Sequence, residues 1–107
     1  MLIVTTDTIP GKKITKVIGY VASSTVRSKH IGKDIGAGLK SLVGGELNEL
    51  TEMQDESRKI AVGRLVEKAR EQGANAIVGL KLVTSNIMGN ASEMVAYGTG
   101  VVIEDEI

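Results

Sequence analysis

No cysteine, tryptophan or phenylalanine occurs among the 107 residues, and there is a single proline and a single histidine. Without cysteine there are no disulfides, no thiolate metal ligands and no thiol nucleophiles. A chain this short that folds without covalent staples suits a reducing compartment, so a cytoplasmic location is expected. Tyr20 and Tyr97 are the whole aromatic complement, too few for a surface on which bases stack. Thirteen Lys and Arg balance thirteen Asp and Glu, which removes any net field drawing the chain to nucleic acid or to an anionic membrane. Apolar runs stay well below the length of about 18 residues that a membrane helix needs, and no basic stretch followed by an apolar run opens the chain, so neither a membrane span nor a secretory leader is expected.

What is present is aliphatic. Val, Ile and Leu supply 31 residues, and their stiff, largely β-branched side chains favour strands. The length fits one domain over residues 1–107. Glycines 19, 79, 98 and 100 fall inside apolar runs, where glycine marks a bulge or a close backbone approach. Leu2 to Thr6 reads as a short strand, followed by a turn at Pro10-Gly11, and Ile14 to Ser24 as a longer strand. Asp34 caps a short helix carrying Ile35, Leu39 and Leu42, which Gly44-Gly45 ends.

From Asn48 to Gln72 the residues Leu50, Met53, Ile60, Ala61, Leu65 and Ala69 recur at helical spacing. Acids crowd the amino end of this segment and Lys68 and Arg70 sit near its carboxyl end, matching the helix dipole. Gly73 follows as the stop. Ala76 to Thr84 and Met94 to Glu104 read as an antiparallel hairpin around Gly89-Asn90. Both strand faces are partly apolar, and one long helix covers only one of them, so a second copy of the chain is the expected cover for the other. Residues 1–45 hold seven Lys/Arg against two Asp/Glu, and residues 46–107 six against eleven. Complementarity within the chain, or head-to-tail contacts between copies, accounts for that asymmetry.

Chemistry-bearing motifs are few. Gly32-Lys33-Asp34-Ile35-Gly36-Ala37-Gly38-Leu39-Lys40-Ser41 has the ingredients of a phosphate loop, but Leu39 separates glycine from lysine and the required spacing fails. No dinucleotide fingerprint is formed. His30 is the one imidazole; as a metal ligand it would need Asp34, Glu93, Met88 or Met94 beside it. Ser23, Ser24, Thr25 and Ser41 offer hydroxyls without a positioned base. Glu46, Glu49 and Asp55 fall on the polar face of the long helix, where perturbed acid–base pairs are not expected. No cofactor and no enzymatic activity are expected.

The order and spacing of several segments resemble the YbjQ family of small bacterial and archaeal proteins. They are Thr5-Thr6 with Ile9 and Gly11-Lys12, the run from His30 through Gly32-Lys33-Asp34 and Lys40-Ser41 to Gly45, Ile60-Ala61, the run from Ala69 to Gly79, and Gly98-Thr99-Gly100-Val101. The resemblance implies an α+β subunit with a β-α-β-β core, an antiparallel sheet packed on one long helix, and assembly into a homopentameric ring, under a heavy-metal-binding label. This chain departs from the family at several positions: Ser24-Thr25, Lys81 and Val83 stand where relatives carry acids, His30 where they carry asparagine, and Gly32 and Gly36 where they carry aromatics. The expectation is thus a homo-oligomeric binding protein that acts on neither nucleic acid nor membrane. Its binding segment runs from His30 to Lys40 and takes a soft metal through His30 and methionine sulfur. The alternative is a small anionic ligand held by Lys33, Lys40 and the backbone N–H groups near Asp34.

Overall fold

The computed structural model describes residues 1–28, 45–88 and 91–106. Strand β1 (Leu2–Ile3) is followed by β2 (Lys12–Ser28), helix α1 (Gly45–Glu71), β3 (Ala76–Met88) and β4 (Ala91–Asp105). The fold is α+β. The expected short helix lies outside the described residues, as does the Gly89-Asn90 turn.

The sheet order is β1-β3-β4-β2. β4 pairs antiparallel with both β2 and β3, but β1 runs parallel to β3, with Leu2 opposite Ala76 and Ile3 opposite Ile77. The sheet is therefore mixed, where a purely antiparallel one was expected. The difference arises because β1 and β3 are joined through β2 and α1, and a connection that long permits a parallel neighbour. β1 is also shorter than the strand expected to Thr6. A register shift between Val78 and Lys81 interrupts the ladder, and Gly79 takes φ +64° there, a conformation that glycine adopts without a Cβ clash. The chain still follows β3: the Val4 N–H donates to the Ile77 carbonyl at 2.9 Å, Leu80 N–H to Val4 at 3.0 Å and Gly79 N–H to Thr6 at 2.9 Å. The Pro10-Gly11 turn forms as expected, with Gly11 at φ +81° and Lys12 N–H donating to the Ile9 carbonyl at 3.0 Å, the pattern of a type II turn.

Helix α1 lies mainly over β2 and β4. Ser57, Ala61, Leu65 and Ala69, spaced by four, are all buried and form one line along its inner side. Three of the four are small, so the helix sits close to the sheet with Leu65 as its main apolar insertion. The sheet answers in kind: a Cβ built on Gly98 would stand 2.9 Å from Ile77 Cγ2 and 3.0 Å from the Val78 carbonyl oxygen, space that side chains cannot share. Buried Ser23 donates its hydroxyl to the Ala61 carbonyl at 2.5 Å. The helix ends as its sequence requires. Gly73 has φ +96°, its N–H donates to Arg70 and the Ala74 N–H to Ala69, each at 3.0 Å, which is a Schellman closure with Ala74 and Ala69 joining the core.

Asn75 then starts the hairpin by imitating a peptide group. Its Nδ2 donates to the Ile103 carbonyl at 3.0 Å and its Oδ1 accepts from the Ile103 N–H at 2.7 Å. At the same end Lys12 and Asp105 form an ion pair between β2 and β4.

The molecule measures 58 × 25 × 16 Å. At about 3.3 Å per residue a 17-residue strand such as β2 reaches roughly 55 Å, while the 27-residue helix reaches roughly 40 Å. The strands set the length, and a part of the sheet extends past its helical cover.

Candidate functional site

The residues singled out in the sequence as ligand-binding, His30, Lys33, Asp34 and Lys40, lie outside the described residues. Among the described residues no three His, Asp or Glu side chains come together in a metal-holding group. Met94, considered as a soft ligand, is buried in the core on the helix side. Ser23 is committed to the helix backbone, and Asp55 pairs with Arg58 along the exposed side of α1. No helix among the described residues is long and apolar enough to cross a membrane.

The feature that does emerge is one face of the sheet. Pairing places Val17 opposite Val101, Tyr20 opposite Thr99, Val26 opposite Glu93 and Val83 opposite Val95. All of the β4 partners are odd-numbered and so lie on one side, the side away from α1, since Met94 and Ala96 pack in the helix-side core. On this side Val17 is 63% exposed, Tyr20 73%, Val26 57% and Val83 48%. The chain covers one end of this face itself: Val4 and Ile9, from the segment after β1, pack over Ala76, Val78 and Val101. Sequence reasoning assigned the whole second face to another subunit. It missed this internal cover because a run as short as Val4–Ile9 carries no periodicity.

The same sheet has unlike edges. Among the described strands β2 is an edge along its length, and β3 becomes one beyond Leu80, where β1 and its continuation stop. The middle of the β2 edge is closed by the helix: Lys68 Nζ donates to the Ala22 carbonyl and Arg64 Nη1 to the Ser24 carbonyl, both at 2.9 Å. Cationic side chains laid on an edge in this way block strand addition at those positions. Along β3, residues Lys81 to Asn86 are all exposed.

Comparison with other proteins agrees with this architecture. A YbjQ family model described as "Putative heavy-metal-binding" matches residues 1–104. A UPF0145 protein of Clostridioides difficile is 57% identical over 106 residues, covering 99% of this chain and 95% of that protein. One from the archaeon Methanosarcina acetivorans is 52% identical over 103 residues, covering 96% and 97%. Among solved structures, a DUF74-family protein of unknown function from Pediococcus pentosaceus superposes with a TM-score of 0.57 at 22% identity, covering 99% of this chain and 98% of that one, a likeness of fold. Matched from end to end by relatives this similar, the chain belongs to the YbjQ (UPF0145) family.

Proposed function

We propose that this chain is the subunit of a homo-oligomeric binding protein, a ring of five, that performs no catalysis of its own. The observation that carries the reading is the exposed apolar side of the sheet, where Val17, Tyr20, Val26 and Val83 stand in water on strands whose other side is packed. An apolar patch of this kind on a rigid sheet marks an interaction surface. A second copy fits it because the two sides of the sheet end in unlike strands, β2 with its middle closed by Arg64 and Lys68 and β3 exposed from Lys81 to Asn86. Contact between them is head-to-tail, and a repeated head-to-tail contact closes into a ring when the rotation allows. Five is the number that the family resemblance implies. The binding segment in this proposal is residues 30–40, which carries His30, Lys33, Asp34 and Lys40, and the family's heavy-metal description makes a retained metal the mass to look for.

Native mass spectrometry of untagged protein purified without chelator tests the proposal in one spectrum. The expected result is a fivefold subunit mass that carries additional metal or ligand mass, lost in His30→Ala. A monomer overturns the assembly, and a bare pentamer, or metal retained unchanged in His30→Ala, overturns the binding role given to His30.

A further inference from the structure

A cavity of about 190 Å³ lies between the amino-terminal half of α1 and the part of the sheet that reaches past it. Its wall includes Thr25, Gln54, Ser57, Thr84, Asn86 and Ser92, with Met94 as an apolar patch. Pairing explains how these side chains meet. Met94 is opposite both Thr25 and Thr84, and Ser92 is opposite Asn86, so two successive cross-strand rows present hydroxyls and a carboxamide to the helix side. Ser57 faces them from α1 and is buried. Thr25 is only 3% exposed, and its hydroxyl has no hydrogen-bond partner among the described residues. Buried hydroxyls are nearly always partnered, so this one marks a place where a hydrogen-bonding group is missing.

From this cavity we infer a binding site for a small uncharged polyol or aldose of roughly three to five carbons. The wall selects the class. Ser, Thr, Asn and Gln each both donate and accept, and the matching ligand is one whose every oxygen does the same. Glu93 borders the cavity, but alternation along β4 puts it on the other face with Val26 and Ser85, so the lining residues that fall on the helix side are the Ser, Thr, Asn and Gln named above with Met94. A nucleobase finds no stacking partner, since Tyr20 is opposite Thr99 on the far side of the sheet and Tyr97, odd-numbered on β4, shares that side. Size sets the length: an apolar cavity of about 150 Å³ holds one benzene, and a water occupies about 30 Å³, so this space accepts a molecule of about six to ten heavy atoms. The site lies within one subunit and does not depend on the assembly proposed above.

The test is a titration of the full-length, methyl-labelled protein with glycerol, erythritol and D-ribose, read by NMR at the methyls of Thr25, Thr84 and Met94. At least one probe is expected to shift these methyls saturably, with an affinity that added salt leaves unchanged. Thr25→Val, which keeps the side-chain volume and removes the hydroxyl, is expected to weaken that binding about tenfold, the cost of one hydrogen bond to a buried group. Ser92→Ala provides the same readout at the mouth of the cavity should Thr25→Val disturb the fold. Shifts that never saturate for any probe overturn the inference. So does affinity unchanged in both variants, or saturation of these methyls by zinc or inorganic phosphate in place of the polyols.

Discussion

Toward α1 the strands carry Val21, Ser23, Met94 and Ala96, all buried, with Gly98 letting Ile77 come within reach. Toward the other side the same strands carry Val17, Tyr20, Val26 and Val83, all exposed. Burial on the helix side thus combines small side chains at close distance with a few large ones, Leu65, Ile77 and Met94, whereas the opposite side leaves apolar side chains in water. Selection for the stability of a single chain alone does not account for apolar side chains left in water, since buried apolar area is what stabilises. The arrangement suits the proposed assembly, in which another copy completes the second face, and among the described residues the chain itself covers only the stretch under Val4 and Ile9.

The comparison can be broken most forcefully at Leu65. It is fully buried as the main apolar insertion from the helix, and Leu65→Ala is expected to cost about 2–5 kcal/mol, read as a drop in urea midpoint with the slope unchanged. A loss under about 1 kcal/mol would mean that the helix side is not the tightly packed one. Tyr20→Ala, a truncation of a larger side chain on the opposite face, is expected to change the stability of the dissociated subunit by no more than about 0.5 kcal/mol. It should instead abolish the rise of Tm with protein concentration that follows from the proposed assembly; a Tm that still tracks concentration would sink the role given to that face. The smallest effect belongs to the rim. A hydrogen bond from Lys12, and then its charge, hold the Asp105 carboxyl below the ordinary carboxylate range. Because the folded value is the lower one, the pair stabilises the protein above that range and the contribution fades as pH falls through the folded value. Lys12→Ala should return the Asp105 titration, followed by carboxyl carbon NMR, to the ordinary range and flatten the stability profile on its acid side. High salt should do part of the same.

Most of the fold was legible because its signals are local. The four-residue spacing through Ala61, Leu65 and Ala69 and the stop at Gly73 place α1, and Pro10-Gly11 places its turn. Strand lengths were less so. Ile14 to Ser24 becomes Lys12–Ser28 and Ala76 to Thr84 becomes Ala76–Met88, because residues such as Ser85, Asn86 and Ser92 read as loop by propensity and are held in strands by their neighbours. The parallel pairing of β1 has no local signature, being a property of which edge is vacant. The cavity wall is equally hidden: in the sequence Thr25 is a hydroxyl without a base, and its companions Thr84 and Ser92, which meet it through strand register, and Ser57, which comes from α1, are distant in sequence. The segment from His30 to Lys40, on which the sequence placed its binding residues, lies outside the described residues.

The pairing of β2 with β4 has a consequence for synthesis. Lys12 meets Asp105 across a separation of 93 residues, so on the ribosome β2 emerges long before its partner. At about 5–20 residues per second it waits for roughly 5–20 s, an apolar strand with both edges open. Lys12, Lys13 and Lys16 lie along its opening half, and lysines spaced on an unpaired strand discourage other nascent strands from pairing with it. The charges that sit at the rim of the finished sheet thus also guard the chain before there is a sheet to belong to.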